Sequence, residues 1–576
     1  MSYNKRLWSV YALLLLVALG FRLFIALRLP NDEPGDARVY SQLAINVLEQ
    51  HVYSHDPQAP YAPSIIRLPG YPLFLAGVYK IFGHGNNTAV RVVQAVMDTL
   101  TCVLIALVAF QWAVNLERKH RAAIIAFALA AVCPFTAIYV ATVLTEVLTN
   151  FLAVAMALAV TFAFKATDYT DDTDQADRKR VDKKKAVLWW SVSGLIAGLT
   201  VLFRPDSGLF AAAVGLTLVL SLLLRQRAKP LKLRITQLFV SGAIFSVAFC
   251  VVLAPWTIRN YRVFHLFQPL APAHGEMPGE FVPRGYLLWL RTWLDDERYI
   301  GPVIWSLDDR RIRITDFPER AFDSKEERDR VAALLDKYNK GAGEEQAQNS
   351  SPDDNSSQDD SADKQNDQQN DGDQNSDDDS GDDSGDEDNQ PEEPEEHPEA
   401  EEADVEMTPE IDAAFAQLGQ ERKARSPFRY YILLPLKRAK TLWFDTHSQY
   451  YPFNGELLPL ADLDYDIHQQ YWLPLFAALT AIYSLLGVLG GLLLLLARNA
   501  TARRWGLLAG LLMFIRLGFF ATLENPEPRY TVELFPFLII VAGAGLSRIK
   551  LQAKAESATQ PESETEPASL AESQSE

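Results

Sequence analysis

Residues 31–40 read Asn-Asp-Glu-Pro-Gly-Asp-Ala-Arg-Val-Tyr, an acidic turn leading out of the first apolar run of the chain. Asp36 is read as a catalytic carboxylate. From Tyr40 the apolar positions Tyr40, Leu43, Ala44, Val47 and Leu48 recur at helical spacing, with Gln42, Asn46, Glu49 and Gln50 off the stripe. Such a helix lies on a membrane surface rather than crossing it. It would hold Asp36 at the boundary between lipid and water, where a lipid-borne substrate meets a soluble one. The plainer reading, Asp36 as an N-cap, stays open at this point.

Other ionisable residues stand at the ends of apolar runs. Arg67-Leu-Pro-Gly-Tyr-Pro72 forms a rigid bend, Glu146 opens a span, and Arg204 and Asp206 sit in the turn Phe203-Arg-Pro-Asp206. Arg259 and Asn260 close the run in Pro255-Trp-Thr-Ile-Arg-Asn-Tyr261, and Glu527 and Arg529 lie in Glu524-Asn-Pro-Glu-Pro-Arg-Tyr530. Each has an ordinary alternative: Glu146 a helix-dipole partner, Arg259 a flank residue. Counting spans places them all at one membrane face. Carboxylates beside several arginines suit a base that activates a hydroxyl while guanidinium groups hold a phosphate. No Gly-rich phosphate loop with a following Lys-Ser or Lys-Thr is present, so soluble nucleotide chemistry fits poorly.

The elements that must position these residues are helices. Apolar runs at about 8–28, 92–114, 122–142, 144–165, 187–203, 207–224, 236–256, 471–497, 505–522 and 531–547 predict an all-α polytopic membrane protein with about ten spans. Lys5 and Arg6 precede the first span, Arg22 interrupts it and no cleavage site follows, so it is read as a retained anchor. With the amino terminus inside, every inside loop is basic, including 178–185 and 225–234. This puts both termini in the cytoplasm and the ionisable set on the outer face of the plasma (inner) membrane. Leu73 to Phe82 is too short to cross and reads as a second surface or re-entrant helix. Tyr286, Trp289 and Trp293 share a helix face suited to stacking on sugar rings or to an interfacial belt.

The organisation expected is a catalytic core of spans over 1–256 with its first outer loop at 29–91, an outer region at 257–470, closing spans at 471–550 and a disordered cytoplasmic tail at 551–576. The net charge of −19 is local: residues 341–410 hold 28 Asp and Glu against Lys364, and the rest of the chain carries +8. The acidic tract at 341–406 has almost no apolar residues and is read as a disordered insertion. Cys102, Cys133 and Cys250 all fall in predicted spans, which argues against a disulfide framework or a thiolate metal site.

Taken in order, Asp36 with Tyr40 four residues on, Arg67-Leu-Pro-Gly-Tyr-Pro72, Thr145-Glu146, Phe203-Arg-Pro205, the 255–261 segment and Glu527-Pro-Arg-Tyr530 resemble the GT-C superfamily of membrane glycosyltransferases. The resemblance is to the bacterial branch related to protein O-mannosyltransferases and to the aminoarabinose and Rgt-type lipopolysaccharide transferases. It implies inverting transfer of a sugar from a polyprenyl-phosphate carrier to a hydroxyl of a cell-envelope glycan, lipopolysaccharide or protein, with the lipid-linked sugar as donor. No metal-ligand cluster of His and acids stands out in the sequence, so a metal-independent mechanism with no further cofactor and no nucleic-acid partner is expected. Asp36 would be the base and Glu146 a second acid. Arg204, Arg259 and Arg529 would be candidates for the donor phosphate, and Tyr40, Arg67, Tyr71 and Glu527 would orient donor or acceptor. Here Ala37 follows Asp36 where some relatives carry an adjacent Asp-Glu pair, and Arg67-Leu68 replaces the acid that precedes the loop proline in the aminoarabinose transferases. The rival classes are a lipid or solute transporter, which would place charges near the midplane and show repeated halves, and a non-catalytic polyprenyl-phosphate binder. Arg516 is the one deep charge this reading notes.

Overall fold

A computed structural model describes residues 2–29, 35–113, 116–172, 176–222, 230–349, 405–444 and 473–549. Every regular element among the described residues is helical. In chain order these are α1 (Ser2–Arg28), α2 (Asp36–Glu49), α3 (Gly70–Phe82), α4 (Asn87–Trp112), α5 (Leu116–Ala131), α6 (Pro134–Ala137), α7 (Glu146–Asp172), α8 (Ala176–Phe203), α9 (Gly208–Leu220) and α10 (Leu231–Phe264). Then come α11 (Arg284–Leu290), α12 (Lys325–Asn349), α13 (Pro409–Arg425), α14 (Leu434–Phe444), α15 (Leu473–Leu495), α16 (Ala500–Ala521) and α17 (Phe535–Leu546). Among the described residues eight helices are long and apolar enough to cross a membrane, or nine if α5 and the segment Pro134–Ala141 form one span bent by 55°. This is an all-α polytopic membrane protein.

Three expected spans differ in detail. Among the described residues the run at 207–224 is the shorter apolar helix Pro205–Leu220, and residues 223–229 lie outside them. The run at 236–256 does not stop near Trp256. Pro255 lies inside α10, which continues to Phe264 and carries Arg259 and Asn260 in its last turns. The run at 122–142 breaks before Pro134, whose ring cannot continue the helix. Arg22 caps that break: its Nη1 donates to Ala131 O and its Nη2 to Ala130 O, both at 3.0 Å, while Nε donates to Asp98 at 2.6 Å. The residue that interrupts the first span is therefore what satisfies the carbonyls freed in the third.

The chain divides into two compact units. The first comprises Met1–Pro278, Leu442–Gly518 and Pro528–Glu576; the second comprises Gly279–Thr441 and Phe519–Glu527. In the first unit, small residues let helices meet backbone to backbone. A Cβ on Gly194 would lie 2.2 Å from Phe245 O and one on Gly198 2.7 Å from Phe249 O, which locks α8 onto α10. A Cβ on Gly545 would lie 2.2 Å from Gly490 O, and one on Gly543 2.6 Å from Ala122 O, so α17 is clasped between α15 and α5.

In the second unit, Tyr286, Trp289 and Trp293 are not an exposed stacking face or an interfacial belt. They are fully buried with Phe317 and Phe415 as the core of that unit. Aromatic bulk at helical spacing here serves packing, and Gly285 admits α13 by letting Asp412 O approach. The tract expected to be disordered begins and ends inside this unit: residues 341–349 continue α12, and Val405 is buried beside Met407. Residues 350–404 and the tail 551–576 lie outside the described residues.

Candidate active site

The helix expected after the acidic turn begins at Asp36, with Gly35 (φ 53°) as its cap residue and no side-chain cap hydrogen bond. The capping reading of Asp36 is thereby replaced. Its carboxylate reaches away from the helix: Arg67 Nη2 donates to Oδ1 at 2.6 Å, and Arg529 Nη2 lies 3.5 Å from Oδ2. Burial would push this carboxyl up, but Arg67, then Arg529 and Arg204, together hold it below its ordinary value. Asp36 is thus an ionised, partly exposed carboxylate. The apolar stripe of α2 is modified in one place. Asn46, expected to face outward, is buried because its amide donates to Ser54 O and Asp56 O at 2.8 Å each.

Tyr40 follows one turn along α2. Burial, then the nearby Asp36, pushes its phenol up to about 12, so it stays a neutral donor. Its ring packs edge-on against Tyr71 at 5.2 Å. Tyr71 is itself buried, and its hydroxyl donates to Gln94 at 2.8 Å, so it supports Tyr40 from behind. The loop carrying Arg67 is seated by Gly70, where a Cβ would lie 2.6 Å from Leu202 O at the end of α8. That close approach brings Arg67 to the neighbourhood of Arg204.

Arg204 sits in an extended turn between α8 and the short 3₁₀ segment Pro205–Ser207. It is surrounded by acids: Nη1 bonds Glu146 Oε1 at 2.8 Å and lies 3.2 Å from Glu533 Oε1, and Nε bonds Asp206 Oδ1 at 3.1 Å. Arg516 closes the set through Asp206 Oδ2 at 2.5 Å, Glu533 and the Tyr530 carbonyl. Glu146, Glu533 and Arg516 are buried. The Tyr530 ring lies 5.5 Å from both the Arg204 and the Arg529 guanidinium, joining this network to the Asp36 cluster. Four carboxylates and four guanidinium groups thus meet within the first unit.

Arg259 is held differently. It donates to Ser64 O at 2.8 Å and to Asn260 Oδ1 at 3.0 Å, and three rings surround its guanidinium: Trp256 at 5.0 Å, Phe264 at 5.2 Å and Tyr53 at 5.6 Å. Among the described residues no carboxylate pairs with it. Glu527 belongs to the second unit, where it is buried and accepts from Asn525 at 2.6 Å. Asp32 and Glu33 lie outside the described residues.

Sequence reasoning did not include Glu533, and it passed over Arg516 as an isolated deep charge. The signal was available. An acid inside the 531–547 run and a base inside the 505–522 run stand on the two arms of one hairpin, where each is costly without the other.

The helical fold of the first unit thus gathers a cluster of paired acids and arginines. Residues 61–258 match the model of the Alg9-like mannosyltransferase family. Among solved structures it is similar to the Archaeoglobus fulgidus oligosaccharyltransferase tethered to an acceptor peptide (TM-score 0.44, 12% identity, covering 94% of this chain and 50% of that one). It is also similar to ArnT from Cupriavidus metallidurans bound to undecaprenyl phosphate (TM-score 0.33, 14% identity, 90% and 78% covered). The chain therefore spans about half the length of that oligosaccharyltransferase. No curated protein sequence matches it.

Proposed function

We propose that this chain is an inverting glycosyltransferase that moves a sugar from a polyprenyl-phosphate carrier to a hydroxyl of a glycan, lipopolysaccharide or protein acceptor on the non-cytoplasmic side of the plasma membrane. The observation that carries the reading is the ionised Asp36 carboxylate, at the head of an amphipathic helix, with two guanidinium groups against it. The acceptor oxygen attacks the anomeric carbon from the face opposite the phosphate. Its proton passes to Asp36, the bond between the anomeric carbon and the phosphate oxygen breaks, and polyprenyl phosphate leaves with the electron pair. Charge grows on the phosphate as that bond breaks, so cations fixed beside it stabilise the transition state. Arg529, Arg259 and Arg204 are the candidates for this role. The lipid-linked sugar is the donor substrate, and no further cofactor or metal is invoked.

The test is transfer of radiolabelled sugar from a panel of polyprenyl-phosphate donors into membrane extract, with purified wild type beside an equally folded Asp36→Asn. Loss of about 10²-fold or more is expected, the range for removing a general base. Undiminished transfer by the variant would move the base elsewhere. Absence of transfer from every donor, with substrate movement across proteoliposomes, would favour the transporter.

A further inference from the structure

We infer that Arg516 and Glu533 are positioning residues for this reaction: they lock Arg204 among three carboxylates, so that Arg204 fixes Glu146 and Asp206 and does not take the donor phosphate. The inference rests on the glycosyltransferase reading above.

A guanidinium binds phosphate by presenting a fork of N–H donors. Two of the three nitrogens of Arg204, Nε and Nη1, already face Asp206, Glu146 and Glu533 at 2.8 to 3.2 Å, which leaves no pair of them to present as a fork. A phosphate that claimed Arg204 would leave Glu146 and Glu533, at most 2% exposed, without that partner. Buried carboxylates stripped of a partner are strongly unfavourable. Arg516 makes the arrangement rigid. It is fully buried on α16, binds Asp206 and Glu533 through Nη2, donates through Nε to Tyr530 O at 3.0 Å, and stacks on Phe210 at 5.2 Å. It therefore ties the turn before α9 to the segment Pro528–Leu534, whose Tyr530 ring carries both Arg204 and Arg529. Arg259 has the opposite character: among the described residues it meets rings and neutral oxygens only. The phosphate is thus assigned to Arg259, and the Arg204 network to holding Glu146 in place.

Charge counting supplies the experiment. Three carboxylates face two guanidinium groups, and removing Arg516 together with Glu533 leaves that difference unchanged. The double variant Arg516→Met/Glu533→Leu replaces a buried ion pair with apolar side chains, a change that cores often tolerate. Donor KM and kcat are measured for it, for Glu533→Gln and for Arg259→Gln. Reaction of Glu146 with a hydrophobic carbodiimide is followed in parallel by mass spectrometry. The double variant and Glu533→Gln should lose about tenfold or more in kcat with donor KM within about threefold, whereas Arg259→Gln should raise donor KM about tenfold. Glu146, released from a rigid Arg204, should become labelled in the double variant and stay unlabelled in wild type.

A folded double variant with wild-type kcat would reduce the pair to a stability role and overturn the inference. So would a rise in donor KM matching that of Arg259→Gln, or a Glu146 that stays unlabelled. If the double variant does not fold, Glu533→Gln gives the same readouts with a near-isosteric change. If wild type transfers no sugar from any donor, the glycosyltransferase reading fails, and the labelling of Glu146 alone decides the positioning role.

Discussion

Asp36 shows how one carboxylate acquires its chemistry from neighbours distant in sequence. Arg67 comes from the loop before α3 and Arg529 from the turn before α17, and both reach the same carboxylate. Because they hold its pKa below the ordinary value, Asp36 stays ionised down to pH values below about 3.9, the usual aspartate range. The sign follows for stability as well: the cluster's contribution is complete above the unfolded pKa and is lost as pH falls through the lower folded one. Replacing Arg67 by Gln removes the largest favourable influence while burial remains, so the acid limb of kcat/KM assigned to Asp36 should move to higher pH. A pH–rate profile of the Arg67→Gln variant checks this, and an unchanged limb would show that another group controls it. At the same scale, the proposed mechanism has guanidinium groups neutralise charge on the leaving phosphate, so transfer in the presence of a chelator should equal transfer without it. Loss of transfer on chelation, restored by a divalent ion, would overturn the metal-independent reading.

At the scale of elements, the polar residues inside the spans act as joints. Arg22 and Asp98 are both at most 1% exposed, and the guanidinium also caps the broken end of α5. Arg22→Ala leaves Asp98 and two carbonyls without that partner and should cost about 3–5 kcal/mol, the range for breaking a buried pair. A lowered midpoint of thermal unfolding in detergent is the measurement. Gly70 is a joint of another kind. Any larger residue collides with Leu202 O, so Gly70→Val should displace the Arg67 loop from the end of α8 and weaken transfer more than stability. Measuring kcat/KM beside the unfolding midpoint separates the two effects. Apolar periodicity located the spans, but it carries no information about which polar residue caps which break.

At the scale of the whole molecule, the acidic tract dominates the net charge, yet its expected ends fall within the second unit. Replacing 350–404 with a short Gly-Ser linker should leave the unfolding midpoint and transfer unchanged. Deleting 341–406 removes Val405 from a core formed with Met407 and Ile411, and should lower the midpoint. Thermal unfolding of the two deletion proteins makes the comparison. Equal behaviour would show that Val405 contributes little to that core. The aromatic residues Tyr286, Trp289 and Trp293 fit the same picture, since they hold this unit together from inside.

The all-helical membrane class, most span positions and a helix following the acidic turn of Asp36 were legible in the sequence. The reason is physical: transfer of apolar side chains to lipid and the 3.6-residue period are properties of local stretches. Asp36, Arg67, Glu146, Arg204, Asp206, Arg259 and Arg529 could be named because each stands at the end of such a stretch. Their partners could not. That Arg67 and Arg529 share Asp36, that Arg204 faces Glu533, and that Arg516 closes the network depends on α3, α8, α16 and the turn before α17 converging. Ion pairing of this kind is decided by distances of a few ångströms between residues up to hundreds of positions apart. Only the packing of the helices sets those distances.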